Sequence, residues 1–213
     1  MTRQLLSSSS DRLPRYIESA MQGLVFWIGH RRCIYPDYDL GEAALVAELA
    51  NLIQARIYGD YRLLCEVHHN RFLQSGCLVD NLSASTRCDL LIGSHLDPGN
   101  KKGKVKPQAV MEIKRWSESA KPSIELDLRR LCQIKRAMPS VRCWLFVVSQ
   151  GAVPTRFLND KKSAKRGRMR DGLDDPDSYY NVRRVCKAAS SFTRTTMTNY
   201  CCVLELFVGL SEN

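Results

Sequence analysis

Three consecutive segments constrain the fold of this 213-residue chain more than anything else in it. AVMEIKRW (109–116) reads as a strand, and VRCWLFVVSQ (141–150) is a nearly uninterrupted apolar run. Between them Ile124, Leu128, Leu131 and Ile134 recur at helical spacing. A strand apolar on both faces must be covered on both. A strand, a helix and such a strand in that order make a right-handed parallel crossover, which places the chain among α/β proteins.

The flanking segments extend this reading. Residues 1–10 end in a serine run and read as a loose tail. From Pro14, a residue suited to a first helical turn, Ile17, Ala20, Met21, Leu24, Val25 and Ile28 follow helical spacing. YPDYDLGE (35–42) breaks that helix, and the spacing of Asp39 and Glu42 is that of a capping box, which gives Glu42 a local structural task. A second helix to about Tyr58 carries Leu45, Leu49, Leu52 and Ile53 on one face. Glu48 lies on the shoulder of that face, about 40° from Leu52. YRLLCEVHH (61–69) and RCDLLIGS (87–94) read as strands, and HLDPGNKKGKVKPQ (95–108) as a loop. In the crossover helix Glu125 and Asp127 suit the positive N-terminal end. Residues 156–170 hold seven Lys/Arg against one Asp and read as a mobile loop. SYYNVRRVCKAAS (178–190) reads as a helix and NYCCVLELFVG (199–209) as the last strand. The expected organisation is an N-terminal tail and amphipathic helix over 1–38, then an α/β domain over 39–213 with a mixed β-sheet flanked by helices.

Composition narrows the class. Apolar residues make up 44% of the chain, enough for a packed core, so wholesale disorder is excluded. The longest apolar runs, GLVFWIG and WLFVV, fall short of a membrane span, and MTRQLLSSSSDR lacks the apolar stretch of a signal peptide. A cytoplasmic protein with no membrane partner is expected. The nine cysteines are odd in number and irregularly spaced, which fits reduced core residues. His30 and Cys33 with Cys65 and His68 have zinc-ligand chemistry, but Cys33 and Cys65 stand 32 residues apart in different elements, which argues against zinc. The formal charge of +10 favours polyanionic partners, nucleic acid first. His68 and His69 read as strand-end surface residues, and Gln133 as an exposed helical one.

Against that basic background, three charges stand inside apolar strands. Asp89 interrupts RCDLLIG, and Glu112 and Lys114 are two apart in VMEIK, hence on one face. An unpaired buried charge costs several kcal/mol, so these groups must pair, bind a metal or reach water. On adjacent strands, two carboxylates and an ammonium meet. Asp89, a Glu112 oxygen and the Ile113 backbone carbonyl form a hard-cation site for Mg²⁺ or Mn²⁺. Metal-assisted phosphodiester hydrolysis wants this set, with Lys114 orienting water or stabilising charge on the phosphate. Glu48 or Glu66 would complete the site or admit a second metal.

At these residues the sequence resembles the PD-(D/E)XK nuclease superfamily, the restriction-endonuclease-like fold. The pieces are Glu48 on an early helix, Asp89 in RCDLLIG, Glu112-Ile113-Lys114 in VMEIKRW, and the helix and strand that follow. The resemblance covers roughly residues 40–150 and implies an αβββαβ core. It implies a Mg²⁺-dependent nuclease in which Asp89, Glu112 and Lys114 are catalytic and Glu48 assists. Cys88 stands where the family name has Pro, a position at which members commonly differ. The expected substrate is nucleic acid, DNA before RNA, cut by an endonuclease serving restriction or defence against foreign DNA. Lys101, Lys102 and Lys104, with Lys161, Lys162, Lys165 and Arg166, are the expected phosphate contacts. Cutting both strands with one site per chain favours a homodimer, and a partner protein in a larger complex is the other expectation. The competing reading is a nucleic-acid-binding module on the same fold without turnover.

Overall fold

The computed structural model describes residues 12–57, 59–73, 86–95, 105–189 and 197–209. Two helices come first, α1 (Arg15–Ile34) and α2 (Glu42–Gln54). The strands β1 (Tyr61–His68), β2 (Arg87–His95) and β3 (Val105–Arg115) follow, then α3 (Lys121–Ala137) and β4 (Arg142–Gln150). Two strands close the chain, β5 (Ser178–Ala189) and β6 (Thr198–Val208). Among the described residues the strands form one sheet in the order β1-β2-β3-β4-β6-β5. Only β3 and β4 run parallel, joined through α3; every other neighbouring pair is antiparallel. The fold is thus α/β with a six-stranded mixed sheet between helices, and β4 is buried from Arg142 to Ser149.

Alternation along the strands sorts two apolar layers. Met111, Ile113, Trp144, Phe146 and Val203 face α1 and α2, where Ile17, Met21, Leu24, Ile28, Leu45 and Leu49 are fully buried. Val110, Leu145, Val147, Leu204 and Tyr180 face α3, against Ile124, Leu128 and Leu131. Helix α1 therefore shares one core with the sheet. Gly29 allows its close approach: a Cβ there would meet the Ala189 carbonyl oxygen at 2.8 Å.

Three expectations need correction. Residues 178–189 are a strand: Ser178, Tyr180 and Val182 are buried between half-exposed neighbours. A register shift between Val182 and Arg184 then turns the next buried residues, Cys186 and Ala188, to the opposite layer. That bulge breaks the two-residue alternation by which a strand is recognised. The basic stretch 156–170 is anchored, with Phe157 and Leu158 buried and β-bridges joining Leu158 to Ala164 and Met169 to Tyr180. Helix α3 has no acidic residue in its first turn; Glu125 meets Arg156, and Asp127 is buried against the sheet. The His30/Cys33 and Cys65/His68 pairs stay apart, since α1 packs on β5 and β6 while β1 is the opposite edge of the sheet.

Replacing Gly29 by alanine tests the docking of α1. Alanine improves helix propensity by about 1 kcal/mol, but the clash is with backbone, and overpacking costs about 1–3 kcal/mol. The expected net result is a lower urea midpoint with unchanged slope.

Candidate active site

The β2–β3 ladder ends at the Leu90–Met111 pair, while β3 remains paired with β4 as far as Arg115 and Val148. Beyond that last β2 pair, the Ile113 backbone N–H donates to Asp89 Oδ2 at 2.7 Å. The side chain thus engages the neighbouring strand where the backbone ladder stops. Asp89 and Glu112 occupy the next position after the Leu90–Met111 pair, so the two carboxyls face each other across the parting strands. Glu112 is 3% exposed, and its Oε1 is buried with no hydrogen-bond partner. Two carboxylates and an unanswered buried oxygen at one point call for a further partner.

Lys114 completes the set from the same face of β3. Its Nζ donates to Glu42 Oε1 at 2.7 Å and lies 3.3 Å from Asp127 Oδ2. Asp127 also meets Arg130 at 3.2 Å, and the Arg115 backbone N–H donates to Glu42 Oε2 at 3.3 Å. Glu42 holds this position because it is the first residue of α2, after Gly41 as N-cap, where the helix end favours a negative charge. The capping-box expectation for Glu42 is therefore corrected: no side chain caps α2, and Glu42 turns to the sheet.

Glu42, not Glu48, is the α2 carboxylate that reaches Lys114. Six residues of helix turn the two side chains about 120° apart and about 9 Å along the axis. Glu48 is half-buried and, among the described residues, has no polar contact with Asp89, Glu112 or Lys114. Glu66 lies beside Asp89 in register, between the Cys65–Leu90 and Val67–Cys88 pairs, but it is exposed and its φ is 51°. Among the described residues it too has no polar contact with the three central groups. Lys101, Lys102 and Lys104 lie outside the described residues. Lys161, Lys162 and Arg166 are exposed and Lys165 half-buried. Lys165 and Arg166 line a cavity of about 450 Å³ with Arg168, Arg183 and Arg184 at the β5 edge. A row of paired residues, Glu112–Leu145–Leu204–Val182, sets that edge three strands from the carboxylates, about 14 Å.

Sequence reasoning missed Asp127 and Arg130, although one signal was present. Asp127 stands three residues after Ile124 and four before Leu131, inside the apolar stripe of α3. His69, expected at the surface, is fully buried with Nδ1 2.7 Å from Thr86 Oγ1. Burial, helped by Arg130 and His68, pushes its imidazole down to about 4, so it is neutral at physiological pH. Gln133 is half-buried, with its Oε1 unpartnered.

Electrostatics follow from the packing. Burial raises Asp89 to about 6, against the opposing pull of the Ile113 N–H and Lys114. Burial and then Asp89 itself push Glu112 well above the usual carboxylate range. Burial would lower Lys114, but Asp127 and Glu42 outweigh it and hold the ammonium protonated. Among the described residues no group of three or more His, Cys, Asp or Glu is placed to hold a metal ion. The Asp89–Glu112 pair is a two-carboxylate set, and Mg²⁺, which keeps several waters, is held by one or two carboxylates. The chain matches no family model, no curated protein and no solved structure.

The raised carboxyls give the metal-free protein a defined pH response. A group that binds its proton more tightly when folded adds stability below its unfolded pKa and loses it as pH rises through the folded value. Asp89 therefore favours folding near pH 4 and loses that contribution as pH rises through about 6, and Glu112 acts in the same direction. Asp89→Asn removes one such charge and keeps an oxygen for the Ile113 N–H. Urea denaturation should show its stability, relative to wild type, rising between pH 5 and pH 8.

Proposed function

We infer that this protein is a Mg²⁺-dependent phosphodiesterase acting on nucleic acid, DNA before RNA, on a restriction-endonuclease-like core. One observation carries the reading: Asp89 and Glu112 adjoin where β2 and β3 part, an unpartnered buried Glu112 oxygen lies between strands, and Lys114 stands on the same face. The order of elements, helix, three strands, helix and strand, agrees with the αβββαβ core that the sequence resembles. Asp89, Glu112 and the Ile113 carbonyl are the oxygen donors that would hold Mg²⁺ or Mn²⁺. The bound ion would polarise the scissile phosphate and supply hydroxide at neutral pH.

The remaining roles belong to the chain's own groups. A lysine ammonium has three donors. Glu42 accepts from one of those of Lys114, Asp127 holds the ammonium by its charge, and the ammonium keeps donors for a water or a phosphate oxygen. Held protonated, Lys114 acts as a donor and a fixed positive charge, not as a general base. The carboxylates must be deprotonated to accept a cation, so metal affinity rises with pH. The basic residues at the β5 edge would bind phosphate away from the cleaved bond. Service in restriction or defence rests on the resemblance, and action as a homodimer on the need to cut two strands with one site per chain; a partner protein in a larger complex is the other reading.

Two experiments test the reading. Purified protein should cleave plasmid or oligonucleotide DNA with Mg²⁺ or Mn²⁺ and not with EDTA. Lys114→Ala, Asp89→Asn and Glu112→Gln should each lower the rate at least about 100-fold, as groups serving one transition state fail together. Metal should raise the melting temperature of wild type more at pH 7.5 than at pH 5.5, and leave Glu112→Gln unmoved. Cleavage that survives Lys114→Ala would sink the catalytic assignment.

A further inference from the structure

Among the described residues, three of the four exposed large apolar side chains fall within five residues: Ile34 is 52% exposed, Tyr35 47% and Tyr38 78%. Ile34 ends α1, and Tyr35 and Tyr38 lie in its connection to α2, which begins at Glu42. The fourth, Phe26, lies on α1 eight residues before Ile34, about 80° from it around the helix.

The connection is fastened to the strand ends that carry the site. The Leu40 N–H donates to Gln150 Oε1, and Gln150 Nε2 donates to the Leu40 carbonyl, both at 2.9 Å. Asp39 meets Arg32 at 3.4 Å and Arg115 at 3.8 Å. The Tyr38 N–H donates to the Tyr35 carbonyl, and the Arg31 guanidinium lies 4.7 Å from the centre of the Tyr35 ring. Two aromatic rings are thus held in water, on an anchored backbone, four residues from the carboxylate that orients Lys114. Arg31 lies against the Tyr35 ring, and Arg32 and Arg115 meet Asp39 one residue after Tyr38; of the three acids in the segment, Asp39 is paired with those arginines and Glu42 with Lys114. Aromatic faces beside arginines suit unpaired bases, because a base stacks on the ring while its phosphate meets the cations.

We propose that Tyr38, with Tyr35 beside it, is a stacking platform for unpaired bases next to the candidate cleavage site. The substrate class is then nucleic acid single-stranded near the cut: a single strand, a flap or a junction, not a continuous duplex. This rests on the nuclease reading for its chemistry but not for its test. A duplex keeps its bases stacked on one another and offers only its terminal pairs to such a ring.

The test is binding of the full chain, in EDTA, to fluorescent single-stranded and blunt duplex oligonucleotides of equal length, followed by anisotropy. Tyr38→Ala should weaken single-strand binding about tenfold, the order of one lost base–aromatic stack. Tyr38→Phe should restore it, and duplex binding should change less than about twofold. Equal affinity of wild type and Tyr38→Ala for the single strand overturns the proposal, as does an equal loss for both substrates. Because EDTA suppresses hydrolysis, the two readings separate. Tyr38-dependent binding with no cleavage in Mg²⁺ upholds the platform and rejects the nuclease. Cleavage with unchanged binding by Tyr38→Ala does the reverse.

Discussion

The ammonium of Lys114 ties together the elements on which the site depends. It projects from β3 and meets Glu42 at the start of α2 and Asp127 in the middle of α3, on either side of the strand end. With Lys114 only partly exposed, each ion must find its partners within the protein, since an unpaired buried charge costs several kcal/mol. That requirement is met at the first residue of α2 and in the middle of α3. It also explains why Asp127 occupies an apolar stripe: its partners lie across the helix–sheet boundary.

The carboxylates beside this cation are differently placed. Asp89 has a backbone N–H and Glu112 has none on its buried oxygen. The Lys114 charge is shared with Glu42 and Asp127, so it only partly offsets the repulsion between Asp89 and Glu112. The pair meets that repulsion by holding protons at mildly acidic pH. A cation would answer the same need at neutral pH. Structural strain and candidate chemistry therefore reside in the same two side chains, as expected where a site stores the cost of its function.

Much of the fold was legible. Patterning placed α1, α2, β1, β2, β3, α3, β4 and β6 because each carries a periodic apolar face or, like β4 and β6, an apolar run buried on both. The loss of β5 has a local cause, since the bulge at Val182–Arg184 moves its apolar residues from one layer to the other midway. His69 was misread because a strand-end histidine has no local signature of burial. Its partner Thr86 stands 17 residues away in sequence.

For the candidate site, the sequence by itself determined that Asp89, Glu112 and Lys114 are charges in strand centres and must be answered. It also determined that Glu112 and Lys114 share one face of their strand and that a parallel crossover follows it. Only tertiary structure decided who answers them. Periodicity gives the direction of a side chain relative to its own helix axis, and so it could rank Glu48 as a shoulder residue. It cannot give the rotation of α2 or α3 against the sheet, which packing of Leu45, Leu49, Ile124 and Leu128 settles jointly. Once those faces are buried, Glu42 and Asp127 are the acids left beside Lys114, and Tyr38 stays in water near them.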